Sequence, residues 1–393
     1  MKYLFTSMPV VSHLLPLVPL AQQLALDGHD VLVATTGPAA DAARHAGLTT
    51  VDAGGRLDAR EPYDRLLGVI ARGESGHAAD DAQALRVHGT FFGDVGLRML
   101  DDLLRIGREW GARAVVYPGI HAGGLVAARA LGAVGVLHGY GTPLPTFAPA
   151  LEHMLANRDD LPDSVPEAEV EVDVLPPSLR NFAELPWTNG TPRHRLGMRY
   201  GSFNGAGDVP PWLLGERAAP RVILTCGTTE ALAGDTYRRV IEALDGTGCE
   251  AVVLSGGAVL DRLPDPLPPW VRVEEWLPLR FALGQSDAIV HHGGAGSLMT
   301  SFAAGLPQLV IPLPGTVSMS NGLTVEARGA GAVLDPTALD AAELAKAAAD
   351  VLTSQAKREA AVAVRREMED MPPVRTVAAQ ISSIVAERGE VVS

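Results

Sequence analysis

The segment HHGGAGS, from His291 to Ser297, brings two histidines, three glycines and a serine together. The apolar run 288–290 before it predicts a buried strand, and the small residues after it predict a helix that begins at Ser297. Glycines in such a turn let the backbone approach a ligand with no Cβ atom in between. The first amides of a helix lack partners within it and carry the positive end of its dipole. A histidine, bare amides and a hydroxyl at one point indicate a diphosphate site.

A second interpretation of this segment stays open on these residues alone. In it, the glycines only allow tight packing of strand against helix, and the histidines are core groups bonded to polar neighbours. The common phosphate-loop patterns do not decide the matter, because GxxxxGK[ST] is absent and GGAGS matches GxGxxG poorly.

Composition excludes several classes of protein. The net charge of −14 over 393 residues argues against a nucleic-acid-binding protein, which needs a basic face. No uninterrupted apolar run reaches the roughly 20 residues of a membrane span. The apolar N-terminal stretch is broken by Ser7, Ser12 and His13, so a signal peptide is not expected. The only two cysteines have no metal-site or disulfide spacing, which favours a reducing cytoplasm.

The elements that must position this site occur twice along the chain. Residues 2–7 predict a strand, 14–27 a helix and 29–36 a second strand, which is the unit of a parallel sheet. The same pattern begins again at 220–229. Two doubly wound α/β domains are therefore expected, with ligands at the carboxyl edges of their sheets. We predict four regions: an N-terminal domain at 1–205, a linker at 206–219, a C-terminal domain at 220–375, and a terminal helix and tail at 376–393.

Three stretches fit this scheme less well. Residues 53–93 and 143–175 are rich in Gly, Pro, Asp and His and predict loops and short helices, with the regular helix only at 94–110. Residues 181–219 have the composition of a linker between domains. The acidic run EAEVEVD, 167–173, is predicted to be a solvated edge.

Four motifs in order resemble one enzyme family over nearly the whole chain. They are SMPVVSHLLPLVPLAQQLALDGHDVLVAT from Ser7, RVILTCGTTE from Arg221, VEEWLPLRFAL from Val273, and HHGGAGSLMTSFAAGLPQLVIP from His291. The chain is similar to family 1 glycosyltransferases, above all to bacterial enzymes of the calicheamicin and urdamycin type that attach deoxysugars to polyketide antibiotics. This resemblance implies the GT-B fold, in which two Rossmann-like domains face each other across a cleft.

The resemblance also implies a role for each matching residue. His292 would contact the donor diphosphate, with the Gly294 and Gly296 amides and the Ser297 hydroxyl completing that site. Thr228 would reach a phosphate. Trp276 and Leu277 would frame the nucleobase, with backbone groups at its edge.

In the N-terminal domain, His13 occupies the place of the base that activates the acceptor. Phe91 and Phe92 in VHGTFFGD would meet an apolar acceptor, although core packing explains them as well. Tyr140 and His121 would also line the acceptor pocket.

Two departures from the family pattern bear on the substrates. Alignment on the later Asn321 puts Val317 and Ser318 where relatives carry side chains that bind sugar hydroxyls, so a deoxysugar, dTDP-linked in this family, is expected. Pro118 stands where relatives often place the acid that orients the base. Either His121 or Asp94 supports His13 instead, or the acceptor is acidic enough, as a phenol or an electron-rich ring would be.

The sequence therefore predicts an inverting, metal-independent glycosyltransferase that needs no cofactor. It would use a dTDP-deoxysugar and an aromatic polyketide or similar natural product as substrates, without nucleic-acid or membrane partners, in the cytoplasm and possibly as a homodimer. C-glycosylation of an aromatic ring at the same donor site is an alternative. A nucleotide-sugar 2-epimerase and a non-catalytic auxiliary protein of a partner transferase are more distant alternatives.

Overall fold

The computed structural model describes two compact units. One unit contains residues 1–205 together with 370–393, and the other contains 206–369. The described residues are 1–55, 57, 82–143, 146–162, 164–180, 192–227, 233–257, 260, 263–312 and 318–390.

The first unit is built on a seven-stranded parallel sheet in the order β3-β2-β1-β4-β5-β6-β7. Its strands are β1 Lys2–Thr6, β2 Asp30–Thr35, β3 Thr50–Asp52, β4 Ala114–Pro118, β5 Val134–His138, β6 Val170–Asp173 and β7 His194–Gly197. Its helices are α1 Val11–Leu14, α2 Val18–Leu26, α3 Gly37–His45, α4 Ala82–Trp110, α5 Ala122–Ala130, α6 Phe147–Ala156 and α7 Pro177–Arg180, together with the C-terminal helix, Val374–Glu390. The strand order reverses between β1 and β4, the position where doubly wound sheets bind ligands.

The helix predicted at 14–27 is divided. A 3-10 turn, Leu15–Leu17, separates α1 from α2. Pro16 and Pro19 lie at the starts of this turn and of α2, since proline lacks the N–H that a continuous helix would need. As a result, His13 lies in a one-turn helix directly after β1.

Helix α4 begins well before the predicted residue 94. A Cβ atom built on Gly89, Gly93 or Gly96 would lie within 2.4 to 2.9 Å of atoms of α6. These glycines, which suggest a loop in sequence, form one face of a helix against which α6 packs closely. The prediction of loops and short helices was therefore wrong for residues 82–93, which belong to a 29-residue helix, whereas the ten-residue helix α6 agrees with the short helices predicted in 143–175.

The second half of the acidic run, 170–173, is an interior strand and not a solvated edge, so that prediction was wrong for these residues. Strand β6 lies between β5 and β7 and all of its residues are buried. Glu171 pairs with Arg195 at 3.2 Å, and Asp173 pairs with Arg180 at 2.9 Å. Burial raises the pKa of Glu171, while Arg195 lowers it. Arginine pairing allows these carboxylates to sit inside a sheet.

The second unit holds a six-stranded parallel sheet in the order β10-β9-β8-β11-β12-β13. Its strands are β8 Arg221–Thr225, β9 Glu250–Leu254, β10 Val271–Glu274, β11 Ala288–His291, β12 Gln308–Val310 and β13 Gly331–Val333. Its helices are α8 Pro211–Leu214, α9 Ala233–Leu244, α10 Leu279–Gly284, α11 Ala295–Ala304, α12 Ser318–Ala327, α13 Ala341–Thr353 and α14 Gln355–Asp370.

Part of the predicted linker packs onto the second sheet. The Trp212 ring of α8 lies under the guanidinium groups of Arg221 and Arg272, at 5.1 and 4.9 Å from the ring centre. Its Nε1–H donates to Glu274 at 3.1 Å. Strand β7 likewise falls within the 181–219 stretch and joins the first sheet. Both segments gain their order from contacts with strands distant in sequence.

The described residues include no helix with the length and apolar character of a membrane span.

Candidate active site

His292 follows β11 at the carboxyl edge of the second sheet, with its ring between two glycines. A Cβ atom on Gly227 would lie 2.8 Å from His292 Cε1, and one on Gly294 would lie 2.4 Å from His292 Nε2. Gly227 also has a positive φ of 65°. Only glycine at both positions leaves room for the ring, so these two residues fix where the imidazole lies.

The His292 imidazole is neutral and has unused bonding capacity. Burial lowers its pKa to about 4, against a smaller opposite effect of the Thr225 backbone. Its Nδ1 is shielded from solvent and has no hydrogen-bond partner among the described residues. A buried polar atom is normally paired, so this nitrogen suits a bond to a ligand.

Helix α11 presents its N-terminus beside His292. Gly294 is the residue before the helix and provides no side-chain cap. The first bond into the helix runs from the Leu298 amide to the Gly294 carbonyl at 3.0 Å. The amides of 295–297 therefore have no acceptor within the helix and carry its positive dipole end. This is the geometry of an anion site.

Ser297 and Gly296 lie inside the first turn of this helix. The helix begins at Ala295, so the prediction that Ser297 starts it was wrong by two residues. Ser297 is buried, at 9% exposure. Among the described residues, no atom lies within 4 Å of a Cβ atom built on Gly296. The fold thus leaves space above Gly296 that a side chain would enter.

His291 and His292 are separated by the local geometry. His291 is 2% exposed and bonds through Nε2 to Gln308 Oε1 at 2.9 Å. Its Nδ1 accepts from the Gly293 amide at 3.1 Å. Of the two adjacent histidines, His292 alone has a ring nitrogen left for a ligand. His291 corresponds to the structural interpretation of the sequence, and His292 fits the ligand-binding one.

The predicted nucleobase residues differ in what they offer. Trp276 is 39% exposed, and its ring lies against the backbone of Gly207. The Leu277 side chain is only 4% exposed and belongs to an apolar cluster with Ile223 and Leu283. Only the backbone of Leu277 could meet a base. Ser318 is buried at the start of α12, whereas the predicted contacts Thr228 and Val317 lie outside the described residues.

In the first unit, the predicted acceptor residues converge around His13. The His13 ring lies 6.3 Å from that of Phe92 and 6.2 Å from that of Tyr140. Phe91 and Phe92 meet edge to face at 5.1 Å. Residues from α1, from α4 and from the end of β5 thus form one aromatic cluster that contains a histidine, and Phe92 and Tyr140 are buried in it, at 8% and 5% exposure.

The His13 imidazole is neutral and has no carboxylate on its buried nitrogen. Burial lowers its pKa to about 4. Its Nδ1 has no hydrogen-bond partner among the described residues. Asp94, one candidate support for His13, instead accepts from His153 Nε2 at 2.7 Å.

His121 is the second predicted support for His13. Its Nε2 is 3.1 Å from the Thr6 hydroxyl oxygen. Burial, followed by the proximity of His13, lowers the pKa of His121 to about 3. His121 Nδ1 is also buried without a partner in the described part of the chain.

Sequence analysis did not single out His138, whose Nδ1 lies 2.6 Å from the Gly139 carbonyl oxygen. Its Nε2 is likewise buried and unpaired within the described ranges. Its position at the carboxyl end of β5 was the signal that could have identified it.

Known proteins match this chain over nearly its full length. Residues 22–227 match the family model "Erythromycin biosynthesis protein CIII-like, N-terminal domain", and residues 241–384 match the corresponding C-terminal domain. The chain is 31% identical to elloramycin glycosyltransferase ElmGT of Streptomyces olivaceus, with 97% of each chain covered. It is 28% identical to aclacinomycin-T 2-deoxy-L-fucose transferase of Streptomyces galilaeus, with 98% of this chain and 97% of the relative covered.

Solved structures agree with the two sheets. The glycosyltransferase SnogD from Streptomyces nogalater superposes with a TM-score of 0.80 at 30% identity, covering 98% of this chain and 99% of SnogD. SsfS6 of Streptomyces sp. SF2575, solved with thymidine diphosphate, gives 0.77 at 25% identity, covering 98% and 99%. The predicted GT-B class, with two Rossmann-like units, is confirmed. This chain is a glycosyltransferase and belongs to the erythromycin biosynthesis protein CIII-like family.

Proposed function

We propose that this glycosyltransferase moves a deoxysugar from a dTDP-sugar to a hydroxyl of an aromatic polyketide or similar natural product, with inversion at the sugar carbon. The single observation that carries the donor half is the pairing of His292, whose buried Nδ1 has no partner among the described residues, with the uncapped N-terminus of α11. The relatives support the substrate class, since one is named a 2-deoxy-L-fucose transferase and another binds thymidine diphosphate.

The donor site would act on the leaving group. When the bond between the sugar carbon and the diphosphate oxygen breaks, the electron pair goes to that oxygen. The amides of 295–297 and the His292 ring are positioned to stabilise the added charge. These groups can do so without a metal or a cofactor.

His13 would act on the acceptor. A neutral imidazole can take the hydroxyl proton while the oxygen attacks the sugar carbon. Burial lowers the pKa of His13 to about 4, which makes the ring a weak base. Such a base suits an acceptor that gives up its proton readily, as a phenol does. The rings of Phe92 and Tyr140 beside His13 would give that acceptor apolar, aromatic surroundings.

C-glycosylation is the second candidate, and the weak basicity of His13 favours it as well. An electron-rich aromatic carbon attacks without prior removal of a proton, so a weak base suffices to take the ring proton afterwards. The donor site would be unchanged.

The test separates the two sites. Calorimetric titration with dTDP and UDP would compare the wild type, His292→Ala and His13→Ala. We expect dTDP to bind more tightly than UDP and His292→Ala to lose about 10- to 100-fold, the usual cost of a bond to a charged group. His13→Ala should bind dTDP as the wild type does, because His13 belongs to the other unit. A folded wild type that binds neither nucleotide would overturn the proposal.

Transfer itself is measured with a panel of phenolic polycyclic acceptors and dTDP-deoxysugars. His13→Ala should lower the rate by about 10²- to 10⁴-fold. Resistance of the product to mild acid would identify a C-glycoside, and release of the sugar would identify an O-glycoside.

A further inference from the structure

His291 is a buried histidine that the proposed mechanism does not use, yet both of its ring nitrogens are bonded. Nδ1 accepts from the Gly293 amide at 3.1 Å, and Nε2 meets Gln308 Oε1 at 2.9 Å. Because an amide N–H can only donate, Nδ1 carries no proton. The proton therefore sits on Nε2 and is donated to Gln308. The hydrogen bonds fix both the neutral state and the tautomer of this ring.

Its surroundings keep His291 neutral. Burial and the adjacent His292 lower its pKa to about 3, against a smaller opposite effect of the bond to Gln308. Protonation of Nδ1 would place two N–H groups against each other and break the contact with Gly293.

Gly293 is also held at its carbonyl. The Asn321 side-chain amide donates to the Gly293 oxygen at 2.7 Å. Gly293 has a positive φ of 83°, and a Cβ atom there would lie 2.5 Å from the Ser318 carbonyl oxygen. The backbone of this one residue is therefore fixed at its N–H, at its carbonyl and in its conformation.

This arrangement decides which amides are left for a ligand. The Gly293 carbonyl accepts from the Asn321 side chain, and the first bond into α11 goes instead to the next carbonyl, that of Gly294, from the Leu298 amide. The Gly293 amide is occupied by His291. The loop is thus held so that the amides of 295–297 and the His292 ring stay available.

We infer that His291, together with Asn321, is a positioning residue for the diphosphate loop: it holds the Gly293 peptide in place and never touches the donor. The inference rests on the proposed donor site and deepens it. Two adjacent histidines have different tasks, His292 toward the ligand and His291 toward the loop.

The matched variants are His291→Asn and His291→Phe. The Asn oxygen can replace Nδ1 as the acceptor for Gly293, whereas Phe keeps the ring volume and removes the acceptor. In dTDP titrations we expect His291→Asn to stay within about threefold of the wild type. We expect His291→Phe to lose about tenfold or more, the usual effect of an unmade bond to a buried amide.

A second pair of measurements follows the mechanism itself. Asn321→Ala should also weaken dTDP binding, and adding it to His291→Phe should cost less than the product of the two separate losses, because both act through one peptide. In the wild type, nitrogen NMR of labelled histidine should show that His291 is protonated on Nε2 and unprotonated on Nδ1. This measurement does not depend on the folding of any variant.

The outcomes are distinguishable. A wild type that does not bind dTDP overturns the proposed function. A wild type that binds, with a folded His291→Phe that binds equally well, overturns the positioning role alone. Equal losses in His291→Asn and His291→Phe would assign His291 to packing only, and the opposite tautomer would also refute the inference.

Discussion

Gly296→Ala is the change that best separates the demands of the fold from those of the ligand. Gly296 is the second residue of α11, and a Cβ atom there would meet no atom of the described part of the chain within 4 Å. Alanine is more favourable than glycine in a helix by about 0.5–1 kcal/mol. Nothing in the described fold requires glycine at this position, so the substitution should raise the free energy of unfolding by up to that amount.

The ligand should respond in the opposite direction. The new methyl group would enter the space above the first turn, where the diphosphate is proposed to meet the amides of 295–297. Loss of one bond to a charged group costs about 1.5–3 kcal/mol, which corresponds to about 10- to 150-fold in affinity. The variant should therefore be at least as stable as the wild type and bind dTDP much more weakly.

Urea denaturation and calorimetric titration measure the two quantities on the same preparation. The matched control is Gly284→Ala at the end of α10, where a Cβ atom likewise meets no described atom within 4 Å. It should leave dTDP affinity unchanged. If Gly296→Ala bound dTDP as tightly as this control, the diphosphate would not approach Gly296, and the proposed placement of the donor would be refuted.

Three further outcomes are expected. Gly294→Ala should weaken dTDP binding about tenfold or more, because its Cβ atom would lie 2.4 Å from His292 Nε2 and displace the ring. Unchanged dTDP titration curves would show that binding tolerates this displacement of the His292 ring. The free energy of unfolding should fall as pH drops from about 6.5 towards 4. The pKa values of His13 and His292 are about 4 in the native state and lie below the unfolded value of about 6.5, so the unfolded chain takes up protons first. A free energy of unfolding that stayed constant over this pH range would contradict the burial of these rings. Ile381→Ala in the C-terminal helix should lower the free energy of unfolding by about 2–5 kcal/mol and leave dTDP affinity intact, because Ile381 is fully buried in the first unit. A parallel loss of dTDP binding would argue against the assignment of this helix to the first unit.

Local patterns sufficed for much of the second unit. The apolar runs before the Gly-rich turn predict strands because a parallel sheet is covered on both faces. The strand, the turn and the start of α11 follow within ten residues of each other. For that reason the sequence predicted where His292 and the glycines around it lie, between β11 and α11.

Other features escaped prediction because their local signal points elsewhere. Gly89 and Gly93 resemble loop residues until α6 is seen packed against them. Glu171 and Asp173 resemble surface residues until their arginine partners are known. In both cases a neighbour distant in sequence reverses the preference of the residue itself.

The sequence by itself determined that two parallel α/β sheets form and that a histidine and unpaired helix amides meet after β11. Each of these features depends on the spacing of residues within short segments of the chain. Only the tertiary structure decided that the C-terminal helix belongs with the first unit, where Ser382 lies 3.0 Å from the Tyr3 hydroxyl. It also decided that Asp94 accepts a hydrogen bond from His153 and that His291 accepts one from the Gly293 amide. The His292 Nδ1, in contrast, has no hydrogen-bond partner among the described residues. The physical reason is that a hydrogen bond depends on distance in space, which spacing in sequence does not specify between remote elements.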